Sequence, residues 1–282
     1  MAVAGVGIAT PAAAASDTLV WDIAAGPQYV DPVMGTAAQA NVMVVQNVYE
    51  RLVWYDGPGT EPVPWLATGW EVHDDGRRYV FKLRPGIKFQ DGAALDANAV
   101  KFSFDRAVLL DDPTGIGSFF PTGTAAPGIL KGAWEFSKSF GIGMDYSQAA
   151  VDKYLAAGAV RIIDQTTVEF NLAQPYAAFL SDIATFMGSI LSPAYVTAHW
   201  TKPSDPAHGF VPGVTAGQRD DWMLYHASGT GPYMLETFDK ATANVVLKAN
   251  PNYWGGPQGR SSQNCRPSSC ARRSIRRPVC WT

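Results

Sequence analysis

Cysteine is scarce in this 282-residue chain, and it is poorly placed for a metal. The three cysteines, Cys265, Cys270 and Cys280, all lie beyond residue 260. Cys265 and Cys270 stand five apart with no histidine in the same stretch, which is poor zinc spacing. Histidine is thin as well. His73, His199, His208 and His226 are scattered, and each reads as a surface or capping residue. The net charge is −3, so no basic field argues for nucleic acid. The apolar start, MAVAGVGIATPAAAAS, is far shorter than the ~20 residues a bilayer span needs. No G-x-S-x-G elbow, P-loop, H-E-x-x-H or G-x-G-x-x-G is present. A secreted hydrolase would require a nucleophile with a base in reach, and none is visible. Asp74-Asp75 and Asp111-Asp112 read as turn residues and not as catalytic pairs. The expectation is a protein that is not an enzyme and carries no metal or cofactor.

The composition present is that of a globular protein: hydrophobic 47%, charged 17%, aromatic 12%. The length suits one large or two ordinary domains. Ala13-Ala14-Ala15 closes the apolar start in the manner of an A-x-A cleavage site. Residues 1–15 are therefore expected to be the remnant of a secretory signal, with the mature chain near Asp17. No cysteine lies near that site, so a lipid anchor is not expected, and the location is periplasmic.

The richest stretch is Pro64 to Ala107, PWLATGWEVHDDGRRYVFKLRPGIKFQDGAALDANAVKFSFDRA. Trp70 and Val72 alternate with Glu71 and His73, the period of a half-buried strand whose Trp70 and Val72 point inward. Asp74-Asp75-Gly76 turns the chain. Tyr79, Phe81 and Leu83 alternate with Val80, Lys82 and Arg84 in a returning strand. Ile87-Lys88-Phe89 is short and extended. Asp96 caps a helix whose stripe is Val100, Phe104, Ala107 and Val108. Elsewhere, Thr18–Ile23 reads as a buried strand. Thr36 could cap a helix carrying Val42, Val45, Tyr49 and Leu52. Asp111–Gly132 and Thr201–Gly217 read as long Gly/Pro/Ser loops. Ser147–Ala157 reads as a short helix, and Val160–Leu172 as a hairpin turning at Asp164–Thr166. Pro175–Thr185 starts a helix. Tyr233–Phe238 and Asn244–Ala249 alternate as a second hairpin.

Residues 260–282 differ from everything before them. They hold six arginines and no acidic residue, with no apolar period of either kind. The expectation is an out-of-frame, disordered tail; a metal site and a basic interaction tail are the alternatives weighed.

Several segments, in this order, resemble bacterial extracellular solute-binding family 5, which serves ABC importers for dipeptides, oligopeptides and nickel. They are Val30-Asp31-Pro32, Asn47-Val48-Tyr49-Glu50-Arg51-Leu52-Val53, the Pro64–Ala107 block, Gly229-Thr230-Gly231-Pro232-Tyr233 and Asn250-Pro251-Asn252-Tyr253-Trp254-Gly255-Gly256. Arg51 stands where the family usually has glycine. The resemblance covers roughly Leu19 to Gln258. It implies an α/β, periplasmic binding protein-like fold (class II, large peptide-binder type), with the N-terminal lobe only and mixed sheets with flanking helices. It implies a main lobe from 16–44 and 189–259, with a small inserted domain at 45–188. It also implies a monomer that captures a small peptide or similar solute by hinge closure and delivers it to ABC permease membrane subunits. A sugar or nickel-chelate binder of the same family is the alternative. The missing second lobe makes this a shortened, impaired copy in this reading.

A binding cleft of that kind needs aromatic faces and a few polar anchors. The ligand-binding candidates are Gln28 and Tyr29 after the first strand, Phe119 and Phe120 in the long loop, Phe186 and Met187, and Thr230 and Gly231 near the hinge. Tyr29 leads, because a tyrosine at a strand end tends to face a crevice. Ordinary core is the rival reading for Phe119, Phe120, Phe186 and Met187. Trp65, Trp70 and Trp254 are assigned to packing.

Overall fold

The computed structural model describes residues 26–32, 39–56, 59–109, 155–173, 175–199 and 222–257. The strand expected over Thr18–Ile23, the cap at Thr36, both long loops, most of the Ser147–Ala157 helix and residues 260–282 lie outside them.

In order, the elements are α1 (Gln39–Val48), β1 (Val53–Trp54), β2 (Val63–Pro64), β3 (Ala67–His73), β4 (Arg78–Leu83) and α2 (Ala97–Leu109). Then come β5 (Val160–Asp164), β6 (Thr167–Asn171), α3 (Phe179–Ile183), α4 (Pro193–Ala198), α5 (Trp222–Tyr225), β7 (Tyr233–Asp239) and β8 (Asn244–Ala249). β3, β4, β6 and β5 form an antiparallel sheet in that spatial order. β1 pairs with β2, and β7 with β8.

The β3–β4 turn forms as the sequence suggests. Asp74, Asp75 and Gly76 all take positive φ (53°, 54° and 85°). Asp tolerates this region and Gly is free in it, so few other residue pairs would close this turn as cheaply. Tyr79, Phe81 and Leu83 then face the core, each 5% exposed or less. Phe170 on β6 is the centre of that core. Its ring lies 5.5 Å from Phe81, 4.7 Å from Phe104 and 5.6 Å from Phe179. Removing each such side chain from water contributes about 1.5–3 kcal/mol.

Val72 departs from the expected alternation. It pairs with Tyr79 and so shares the core face, yet it is 50% exposed. β3 is an edge strand. Trp70, packed on Phe81 at 6.0 Å, covers the core there, and Val72 lies beyond that cover.

α2 begins as expected, with Asp96 Oδ1 accepting from Ala99 N at 2.9 Å. It is buried on more than the expected stripe. Val100, Phe104 and Ala107 pack into the core of the four-stranded sheet. Phe102 packs into a second core with Val30, Val44, Val45, Val48, Tyr49, Leu191, Val196 and Met223. The helix is therefore a wall between two cores, and its polar residues are buried with it. Arg106 donates two bonds to Asp31, Nη1 to Oδ1 at 2.9 Å and Nη2 to Oδ2 at 2.6 Å. Both side chains are 2% exposed. This bidentate geometry is the kind that makes a buried ion pair tolerable.

Candidate functional site

Glu50 follows the end of α1 and is only 3% exposed. Its Oε1 accepts from Trp65 Nε1 at 2.7 Å and from the Tyr253 hydroxyl at 3.0 Å. Its Oε2 accepts from Thr230 Oγ1 at 2.7 Å and from Trp254 Nε1 at 2.7 Å. A carboxylate has about four acceptor sites, and all are filled. Burial still pushes the Glu50 carboxyl above its ordinary range, against the lowering effect of those four donors. One side chain thus ties together four of the sequence segments singled out above. Trp65 and Trp254 are packing residues, as expected, and they are also the donors of this knot.

A second joint lies beside it. Gln90 N donates to Gly229 O at 2.9 Å, Gln90 Oε1 accepts from Gly229 N at 3.3 Å, and Gln90 Nε2 donates to Tyr233 O at 2.7 Å. Asp91 N donates to Ser228 Oγ at 3.2 Å, and Asp91 Oδ2 accepts from Ser192 Oγ. The Gln90-Asp91-Gly92 turn is thereby held against both the 228–233 segment and the start of α4. Gly229 and Gly231 are glycine for want of room: a Cβ would lie 2.0 Å from Val48 O at the first and 2.6 Å from Asn47 O at the second.

Arg51, where the resemblance leads one to expect glycine, is also buried, at 1% exposure. Its Nε donates to Thr185 O at 3.1 Å, and its guanidinium lies 4.0 Å from the Trp54 ring centroid. Its Nη2 is buried with no hydrogen-bond partner among the described residues. Burial lowers its pKa to about 9, with the Glu50 charge opposing the shift.

An open concavity of about 300 Å³ lies where the 26–29 segment meets the β7–β8 turn. Pro27, Gln28, Tyr29, Tyr225, Phe238, Lys240 and Ala243 line it. Asn41 Oδ1 accepts from Gln28 N at 2.7 Å and fixes the segment's main chain. Tyr225 packs edge-on to Phe238 at 5.1 Å and lies 6.5 Å from Tyr29.

The sequence candidates therefore scatter. Gln28 and Tyr29 share the concavity. Thr230 and Gly231 belong to the joint instead: the Thr230 hydroxyl is held by Glu50, and Gly231 N donates to Val48 O at 2.9 Å. Phe186 and Met187 form a short 3-10 turn after Thr185, whose Oγ1 accepts from Met187 N. Phe186 packs on the second core and Met187 on the first. Phe119 and Phe120 lie outside the described residues. Among the described residues no group of three or more His, Cys, Asp or Glu could hold a metal. His199 and His226 stack on Trp222 at 4.7 and 3.7 Å, each with Nδ1 against a backbone oxygen four residues earlier. No helix among the described residues is long and apolar enough to cross a membrane.

Sequence reasoning missed Glu50, the Asp31–Arg106 pair and the Tyr225, Phe238 and Lys240 side of the concavity. A glutamate inside the otherwise apolar run Asn47–Val53 was the available signal for the first. Partners distant in sequence left none for the others.

Comparison with known proteins places this scaffold in a family of solute-binding proteins. Residues 61–263 match the family "bacterial extracellular solute-binding proteins, family 5 Middle", and the chain belongs to it. It is 29% identical over 256 residues to a dipeptide-binding protein of Escherichia coli K12, covering 89% of this chain and 41% of that one. It is 32% identical over 248 residues to a probable D,D-dipeptide-binding periplasmic protein of the same organism, covering 86% and 38%. Among solved structures it resembles the Escherichia coli murein tripeptide binding protein, with a TM-score of 0.55 and 24% identity, covering 82% of this chain and 38% of that one. The chain thus spans about 40% of the length of the curated relatives it matches.

Proposed function

We propose that this chain supplies one lobe of an extracytoplasmic solute-binding component of an ABC importer, with a peptide-like solute as its ligand. The solute is held in a cleft and handed to a membrane permease. The observation that carries this reading is the family match over residues 61–263. The names of its relatives point to peptides in particular: dipeptide, D,D-dipeptide and di/tripeptide binders. The concavity at Gln28 and Tyr29 supports it, because its aromatic walls and few polar groups suit a small organic solute. Binding, not catalysis, is the role.

The same reading assigns 16–44 and 189–259 to a main lobe and 45–188 to a small inserted domain. The two cores follow that division only in outline: Val45, Val48, Tyr49 and Phe102 pack with the main-lobe residues Val30, Leu191 and Met223, and Ile190 packs in the other core. It also makes the protein a periplasmic monomer exported on residues 1–15. A thermal-shift screen of the chain against dipeptides, tripeptides, sugars and nickel tests the solute. Stabilisation by peptides alone is expected. A shift with sugars or nickel and none with peptides would replace the ligand class.

A further inference from the structure

We propose that the concavity between the 26–29 segment and the β7–β8 turn is a subsite for a terminal carboxylate carried beside an aromatic or large apolar side chain. This rests on the solute-binding reading and narrows it.

The argument begins with Lys240. Its ammonium lies 3.7 Å from the Tyr225 ring centroid, at the lining of the concavity. No carboxylate among the described residues is within ion-pair distance of it. The adjacent Asp239 is engaged elsewhere: its Oδ1 accepts from Ala241 N at 2.9 Å and its Oδ2 from Thr242 Oγ1 at 2.6 Å. That carboxylate therefore closes the β7–β8 turn and leaves the lysine without an anion. A cation seated on a ring face keeps donors for an anion arriving from the open side. The Gln28 side-chain amide, exposed beside it, makes no hydrogen bond among the described residues and offers a second donor.

The walls supply the rest. The Tyr225 ring packs against both Tyr29 and Phe238, and buried Pro27 also lines the concavity. They suit an apolar side chain next to the anion. About 300 Å³ is at the lower end of small-ligand sites, enough for one end of a peptide and not the whole of a long one. The site is also stiff. A Cβ on Gly26 would lie 2.5 Å from Ala243 Cβ, so the segment and the turn approach as only glycine allows. Ala243 takes φ +58° to make that approach, a conformation that costs a non-glycine residue free energy. Asn41 fixes the other side by accepting from Gln28 N and Tyr29 N. A solute that is cationic at this end would meet the lysine; a neutral one would leave it without an anion.

The test is calorimetric titration of the full chain with Ala-Phe, with Ala-Phe amide and with 3-phenylpropionate, repeated on Lys240→Met. The expected result is that Ala-Phe binds about five-fold or more tightly than its amide, the change an ion pair of modest strength gives. Lys240→Met should lose that preference while melting at the wild-type temperature. Equal binding of acid and amide, or an unchanged preference in Lys240→Met, overturns the subsite. Phenylpropionate binding as tightly as Ala-Phe assigns the site to free aromatic acids and overturns the peptide-terminus proposal. Ala-Phe and its amide both binding, with the acid bound equally well by wild type and Lys240→Met, would leave solute capture standing without this subsite. Failure of every peptide to bind either protein removes the peptide reading on which the subsite rests.

Discussion

Replacing Glu50 with glutamine is the sharpest perturbation the structure offers, because it alters one atom at the meeting point of four segments. Glutamine keeps one carbonyl oxygen, which can still accept from two donors. Its amide nitrogen must then face the other pair: either Trp65 and Tyr253, or Thr230 and Trp254. Two charge-assisted bonds of about 1.5–3 kcal/mol each are lost, and donors oppose donors. Against this stands the cost of burying a charge, which the neutral amide does not bear. Burial raises the Glu50 pKa despite the four donors, so relief of that burial offsets part of the loss. The net expectation is a loss of about 2–4 kcal/mol. Urea unfolding, followed by circular dichroism and tryptophan emission, measures it. The emission should shift as well, since Trp65 and Trp254 both lose or exchange a partner. A Glu50→Gln protein within about 0.5 kcal/mol of wild type, with unchanged emission, would refute the claim that this carboxylate holds the segments together.

The same group makes a pH prediction. Its folded pKa lies above the unfolded value, so the folded chain favours the protonated carboxyl, and Glu50's contribution to stability is lost as pH rises through the folded pKa. Wild type should therefore gain stability relative to Glu50→Gln on acidification toward the ordinary carboxylate range, read as the difference between two urea titrations across pH. Asp31→Asn should cost about 3–5 kcal/mol by leaving Arg106 buried with a neutral partner, whereas Asp31→Leu with Arg106→Met should cost far less; chemical unfolding of both distinguishes them. Gly229→Ala should lower the melting temperature sharply, because its Cβ would lie 2.0 Å from Val48 O, while Gly69→Ala, with nothing within 4 Å, should leave it nearly unchanged. Arg51→Met should be neutral or stabilising in the same melt, since it keeps an apolar body over Trp54 and removes a buried donor without a partner.

What was legible in the sequence is what local periodicity controls. The Asp74–Gly76 turn, the Tyr79–Leu83 strand, the Asp96 cap and the β7–β8 hairpin each follow from a few adjacent residues, and each is where it was expected. Val72 failed because exposure at a sheet edge depends on what lies across the face, not on alternation within the strand. α2 was half legible for the same reason. Its Val100–Phe104–Ala107 stripe marks one core, but Phe102 and Arg106 look like the solvent side until a second core and Asp31 are brought up to them. The site was harder still. Thr230 and Gly231 look functional as a motif, yet a motif can persist because it is a joint. The Thr230 hydroxyl is held by a carboxylate 180 positions away, and Gly231 is pressed against the end of α1. Such a motif identifies the scaffold and says little about the solute. On the proposed reading the solute is met at positions with no fixed pattern, such as Lys240 on a turn, whose placement arises only once Tyr225 lies beneath it and Gly26 lets the two segments close. For this chain, then, mutating the motif residues should change stability before affinity, and mutating Lys240 should change affinity with little effect on stability.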